Sequence, residues 1–216
     1  MGRLGAIRPA AAKALAASAL TFAIGSGFAR AGERPGANPI AETFPLVFDS
    51  ERIRLEIIDD SLEVRGTYVL LCRAPVMQPI PLFYPFPHDS LMGGARLISL
   101  FVRVGEGAPQ PGHWEDLAEA SGVRCWIPPC SADTVVAEAV YRQKIQTGYA
   151  RYILTSTRIW GRPLRRASFE IWLPPGAIPI DFSFPFERRD AGGEISYVYE
   201  AQDFLPDHDI IVRWRR

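Results

Sequence analysis

The stretch Thr134–Leu173, TVVAEAVYRQKIQTGYARYILTSTRIWGRPLRRASFEIWL, decides the fold class. It holds three runs of strand length, rich in β-branched and aromatic residues, separated by Gln146-Thr147-Gly148 and by Gly161-Arg162-Pro163. Such runs broken by turn residues predict consecutive antiparallel strands joined by tight turns. In the last run Ala167, Phe169, Ile171 and Leu173 share one face, while Ser168 and Glu170 share the other. That period of two belongs to a half-buried strand, whose apolar face needs a partner sheet.

The flanking chain supplies candidates. Ile53, Leu55 and Ile57 alternate with Arg52, Arg54 and Glu56, Asp59-Asp60-Ser61 turns the chain, and Leu62, Val64, Tyr68, Leu70 and Cys72 resume an apolar face, which predicts a hairpin. Gly66, inside the second arm, marks a bulge or a close approach. Residues 75–87 carry five prolines among large apolar groups. Proline has no amide hydrogen, so this segment is an edge or a crossover, with Phe83, Tyr84 and Phe86 packing beneath it. Leu97–Val104 reads as a strand. His113–Ala120 has acidic residues near its start and Gly122 beyond its end, which predicts one short helix over 113–121. Phe182, Phe184 and Phe186 share a face, and 194–199 and 209–214 complete the set. Nine to eleven short strands predict an all-β antiparallel sandwich, immunoglobulin-like or related, over residues 46–216 with at most that one helix.

Residues 1–31 contain Arg3, Arg8 and Lys13, no acid, the apolar run Leu15–Ile24 and then Ala29-Arg30-Ala31. This is the layout of a secretory signal peptide cleaved after Ala31, followed by a flexible leader over 32–45. The apolar run falls short of the ~20 residues that cross a bilayer, so no membrane span is expected after cleavage. Four of the 24 Lys+Arg lie in the removed segment and none of the 24 Asp+Glu do, which leaves 20 against 24. A mildly acidic chain gives no electrostatic footing for nucleic acid. The expected location is the periplasm or the exterior, where cysteines oxidise.

Among Cys72, Cys125 and Cys130, the short Cys125-Trp-Ile-Pro-Pro-Cys130 spacing favours a Cys125–Cys130 disulfide, with Cys72 as a buried apolar residue. His88, His113 and His208 each sit in loops near acids but at no ligand-like spacing, and Asp203, Asp207 and Asp209 lack the glycine-containing loop of an EF-hand, so no metal site is expected. The sequence has no Gly-x-Ser-x-Gly elbow, His-Glu-x-x-His, P-loop or dinucleotide fingerprint. No cofactor is expected. These features favour a non-enzymatic binding or interaction module of the cell envelope, with an envelope protein or a glycan as partner. The alternative is a secreted hydrolase or metal-dependent enzyme using His113 or His208 with nearby acids. Arg158, Trp160, Arg162, Arg165 and Trp172 are the candidate ligand-binding residues, since guanidinium groups beside indoles suit anionic or sugar-like ligands.

Tyr84-Pro85-Phe86-Pro87, Tyr141, Gln143, Tyr152-Ile153-Leu154-Thr155 and Trp160 resemble a type of bacterial exported β-domain of unknown function, over about Val47 to Trp214. The resemblance implies an exported all-β fold and carries no functional residue with it.

Overall fold

The computed structural model describes residues 44–117, 121–131, 134–146 and 148–216. The expected signal peptide and nearly all of the leader lie outside these residues. The described chain is mostly strand: β1 Leu46–Ile58, β2 Ser61–Cys72, β3 Ile80–Pro85, β4 Met92–Val104, β5 Gln110–Pro111, β6 Trp114–Leu117, β7 Gly122–Ile127, β8 Thr134–Ile145, β9 Tyr149–Tyr152, β10 Leu164–Trp172, β11 Ile178–Phe182, β12 Glu187–Ala191, β13 Glu194–Phe204 and β14 Ile210–Arg215. One 3-10 helix, Thr155–Trp160, lies between β9 and β10 and ends on Gly161 in the left-handed region. Among the described residues no helix is long and apolar enough to cross a membrane.

An eight-stranded sheet has the order β12-β13-β10-β1-β2-β8-β4-β5, and two three-stranded sheets have the orders β11-β14-β9 and β3-β7-β6. The β1–β2 hairpin forms as the alternation requires, with Leu55 opposite Val64 and Ile57 opposite Leu62. The turn places Asp59 at positive φ. The large sheet departs from the expected all-antiparallel arrangement at one pair: β1 and β10 run parallel, with Ile53 opposite Phe169 and Leu55 opposite Ile171. Both strands carry apolar residues at every second position on the same face, and that pattern is satisfied equally by parallel and antiparallel neighbours.

The three runs of Thr134–Leu173 are all present but are not one another's neighbours. β8 sits between β2 and β4, β9 pairs with β14, and β10 pairs with β1 and β13. The expected helix over 113–121 is not formed by its described part. Trp114–Leu117 is a strand paired with β7, where Trp114 faces Cys125 and Glu115 forms an ion pair with Arg124. Cross-strand pairing thus overrides a weak local helical preference. The proline-rich segment does form an edge, β3, in the β3-β7-β6 sheet. Phe86 is buried and Tyr84 packs edge-on against Tyr141.

One face of the large sheet carries the core. Ile53, Leu55, Leu62, Val64, Tyr141, Phe169 and Ile171 are each at most 1 % exposed, and Ile127, Ile210 and Val212 from the smaller sheets join the same cluster. Gly66 lies on this face beneath its own strand neighbour: a Cβ there would meet the Tyr68 ring and hydroxyl at 2.1–2.6 Å. The close approach is therefore that of an aromatic ring lying along the strand. The opposite face is charged and largely solvated, with Arg52, Arg54 and Glu56 on β1, Arg65 and the nearly buried Glu63 on β2, and Glu138, Arg142 and Lys144 on β8.

The expected Cys125–Cys130 disulfide is not formed. Cys130 is bonded to Cys72, with Cα atoms 6.5 Å apart, and Cys125 is free. Cys125 lies on β7 opposite Leu82 and Trp114, while Pro128 and Pro129 carry the chain away so that Cys130 pairs with Val76 through two backbone hydrogen bonds. Val76 is four residues beyond Cys72 at the end of β2, and this pairing brings the two sulfurs together. Burial pushes the Cys125 thiol up to about 11, well above reactive values.

Candidate functional site

Three polar constellations stand out, and their chemistry differs. The first is interior. Glu51 lies on the core face of β1, 4 % exposed, opposite Tyr68 of β2. The Tyr68 hydroxyl is 2.5 Å from that of Tyr84 on β3 and 3.1 Å from that of Tyr152 on β9. All three sheets therefore contribute to one buried phenol chain beside a carboxyl. Tyr141 of β8 is 1 % exposed, its ring packs on Tyr84 and Phe86, and its hydroxyl has no protein partner. The Oε1 atom of Glu51 has none either. Desolvation, with no cation to offset it, raises the Glu51 carboxyl to about 8, so it is protonated at neutral pH. Desolvation raises the phenols of Tyr68, Tyr84, Tyr141 and Tyr152 as well. Tyr68→Phe removes the hydroxyl that both neighbours share and is expected to cost about 1–2 kcal/mol. Tyr141→Phe removes an unpartnered hydroxyl and is expected to leave stability equal or raise it by about 1 kcal/mol. Urea unfolding of the two variants checks both values.

The second constellation is Asp209, 7 % exposed, just before β14. Its Oδ1 accepts hydrogen bonds from the backbone amides of Leu154 and Thr155 and from the Thr155 hydroxyl, at 3.0, 3.0 and 2.8 Å. Its Oδ2 accepts from Nε and Nη2 of Arg151 at 3.0 and 2.7 Å. Burial pushes this carboxyl up, but the donors from Thr155, Arg151 and Leu154 outweigh it and hold it below the ordinary value of 3.8. A carboxylate with both oxygens so occupied anchors the 3-10 helix to β9 and β14 and has no lone pair directed at a substrate. Asp209→Asn is expected to cost about 2–3 kcal/mol at pH 7. Because the folded value lies below the unfolded one, this stabilisation exists above about pH 4 and is lost on further acidification. Parallel acid titrations of wild type and variant, which should converge at low pH, check this.

The histidines fit the same pattern. His208 is exposed, stacks on Phe184 with centroids 4.3 Å apart, and has Nδ1 2.5 Å from Asp207 and Nε2 2.8 Å from the Ser183 carbonyl. The Ser183 carbonyl and the Asp207 charge raise its pKa. With Nε2 turned to a backbone carbonyl, the ring has no nitrogen directed at a substrate. His113 lies against Trp126 at 4.4 Å, and His88 is an exposed loop residue. Among the described residues no three of His, Cys, Asp and Glu converge as metal ligands.

The third constellation is the solvated face of the large sheet. The candidate binding residues from the sequence are placed only partly around it, and not together. Trp160, in the 3-10 helix, packs on Phe44 and Phe48 at 5.6 and 5.8 Å, and Arg158 and Arg162 are exposed nearby. Arg165 is held by Asp49 through two hydrogen bonds of 3.0 and 2.8 Å. Trp172 lies at the other end of β10, roughly 20 Å from Arg165 at strand rise. Its cation is instead Arg54, 4.5 Å over the indole. Beside that pair, the Glu63 side chain is 5 % exposed and forms ion pairs with Arg65 and Arg142, whose side chains are 57 % and 62 % exposed. Burial pushes Glu63 up, but the Arg142 hydrogen bond and the Arg65 charge together bring it below its ordinary value. A buried carboxylate thus holds two guanidinium groups whose remaining donors face solvent. Sequence reading missed Glu51 and Glu63 alike. Glu51 sits on the same period-two face as Ile53, Leu55 and Ile57, and that phase is the signal that marks it as internal.

No family model matches the sequence, and no curated protein does. Solved structures share the fold. A proposed nutrient-binding protein of Legionella pneumophila superposes with TM-score 0.55 at 14 % identity, over 79 % of this chain and 67 % of that one. A variant of the M1 zinc metallopeptidase of Deinococcus radiodurans superposes with TM-score 0.51 at 14 % identity, over 79 % of this chain and 42 % of that one. The chain therefore spans about two thirds of the first and less than half of the second.

Proposed function

We propose that the chain is an exported, non-catalytic binding or interaction module, in which the large sheet, backed sandwich-fashion by the two smaller ones, presents its solvated face to a ligand. The observation that carries this reading is the contrast between interior and surface. The buried carboxylates Asp209 and Glu63 are occupied by structural donors, Glu51 faces phenols, and the His208 ring is held on both nitrogens. The outer face, by contrast, carries Arg65 and Arg142 with side chains 57 % and 62 % exposed. The Legionella pneumophila neighbour, proposed to bind nutrients, agrees with such a role by fold alone. The hydrolase reading requires His113 or His208 to reach a substrate, and the metallopeptidase neighbour's chemistry does not come with a match over 42 % of its length.

A thermal-shift screen of the purified chain against envelope sugars, peptides and amino acids, run beside a hydrolysis panel, tests the proposal. A ligand that raises the melting temperature and is recovered intact supports it. Turnover abolished by His208→Ala or His113→Ala overturns it. The export part is checked by intact mass of the secreted protein, which should begin at Gly32; retention of residues 1–31 in the membrane fraction would refute it.

A further inference from the structure

The charge of this protein is unevenly placed. Residues 44–216 carry 19 Lys+Arg against 22 Asp+Glu. On the solvated face of its five central strands the balance is reversed. To the eight residues of β1, β2 and β8 already named, β4 adds Arg96 and Arg103, and β10 adds Arg166 and Glu170. That makes eight cations against Glu56, Glu63, Glu138 and Glu170. The register places Arg96 directly beside Arg142, and Arg54 directly beside Arg65. Same-face neighbours on a sheet are about 5 Å apart across strands and about 7 Å apart along them, so these groups form a nearly flat grid. Its geometry is set from below, because the buried Glu63 fixes Arg65 and Arg142, and the Arg54 guanidinium is seated between Glu56 at 3.3 Å and the Trp172 ring. Pre-positioned guanidinium groups lose little freedom on binding and match carboxylates in a bidentate way. At the β4 end the face dips into a shallow depression lined by Phe101, Arg103, Pro109, Val136 and Glu138, with Phe101 42 % exposed. Phe101 is thus an exposed aromatic side chain there, with Arg103 and Glu138 beside it.

We propose that this face binds an acidic glycan, an extended polysaccharide bearing carboxylates, with the Arg65/Arg142 pair and its neighbours Arg54 and Arg96 as the anion grid and Phe101 as a platform for a sugar ring. The inference rests on the binding-module reading above and specifies its surface and ligand class. Charge complementarity selects a polyanion over a neutral glycan. The alternation of Glu with Arg across these strands selects a discrete chain of carboxylates over a lipid surface. Glu56, Glu63, Glu138 and Glu170 interspersed among these cations disfavour nucleic acid, whose closely spaced phosphates call for a nearly continuous basic surface.

Fluorescence anisotropy with labelled oligogalacturonate, titrated with the purified full chain at low salt, tests this. Binding should weaken as salt rises and be absent for neutral dextran. Arg52, Arg96 and Arg166 are exposed and make no side-chain hydrogen bond or ion pair among the described residues, so Arg52→Ser/Arg96→Ser/Arg166→Ser should fold normally by circular dichroism and weaken binding about tenfold. Arg52→Glu alone serves if the triple variant misfolds and should weaken binding several-fold. Arg215→Ser, on β14 of a smaller sheet, should bind as wild type. Glu63→Gln should weaken oligogalacturonate binding although it removes a negative charge, the outcome that marks Glu63 as a positioning residue. The inference is overturned if wild type does not bind oligogalacturonate, if dextran competes equally, if only vesicles of anionic lipid bind, or if the triple variant binds as wild type. Failure here together with a hit in the thermal-shift screen would leave the binding-module reading standing.

Discussion

Glu51→Gln is expected to make the protein more stable at neutral pH and to remove most of its stability loss between acid and mildly alkaline conditions. In the unfolded chain this carboxyl ionises near 4.5, and in the folded chain near 8. Between those values the folded state holds a proton that the unfolded state has released. Stability therefore falls as pH rises through this window, by about 1.4 kcal/mol per pH unit for one such group, and levels off above it. The direction is opposite to that of Asp209, Asp49 and Glu63, whose folded values lie below the ordinary ones and which act only at the acid end. The groups that face Glu51 are the phenols of Tyr68, Tyr84 and Tyr152, and their pKa values are raised, so they stay neutral throughout this window. A glutamine keeps the shape and has no proton to lose. Urea midpoints measured from about pH 5 to pH 9 should slope downward for wild type and be nearly flat for the variant. Equal slopes would show that Glu51 is solvated or paired in solution and would sink this account of the interior.

The Cys72–Cys130 disulfide should be the other large single contribution to stability. It closes a loop with a sequence separation of 58, and the loop-entropy relation assigns such a cross-link about 4 kcal/mol. It also ties the end of β2 in the large sheet to the segment following β7 in the β3-β7-β6 sheet. Cys72→Ser and Cys130→Ser should each lower stability by about that amount and leave two thiols titratable in the denatured, unreduced protein. Wild type should show one, Cys125. Cys125→Ser should abolish that signal with a stability change below about 1 kcal/mol. Peptide mapping that found Cys125 bridged to Cys130 would overturn the pairing, and so would three free thiols in wild type exported to an oxidising compartment.

Much of the fold was legible in the chain because alternation along a strand depends only on that strand. The phase of Ile53, Leu55 and Ile57, the Asp59-Asp60 turn, the edge character of the proline-rich segment and the buried face of Ala167, Phe169 and Ile171 all follow from side-chain chemistry and backbone geometry at those positions. Of the residues that carry the resemblance to exported β-domains, Tyr84, Tyr141, Gln143 and Tyr152 are polar side chains of the interior. Which strands become neighbours was not legible. Backbone hydrogen bonds are the same for every sequence, so β8, β9 and β10 could each be recognised as strands while their partners, and the parallel pairing of β1 with β10, depended on how three sheets share one core. The cysteines illustrate the same division. Short spacing favours Cys125–Cys130 by chain entropy alone, but bonding requires the sulfurs to meet, and only the pairing of Val76 with Cys130 brings them together. The solvated arginine grid is a tertiary product as well: Arg54, Arg65, Arg96 and Arg142 come from four strands, 88 positions apart at the extremes of 54 and 142, and are joined only by register. Alternation told which way each side chain points, and the packing of the sheets decided what it meets there.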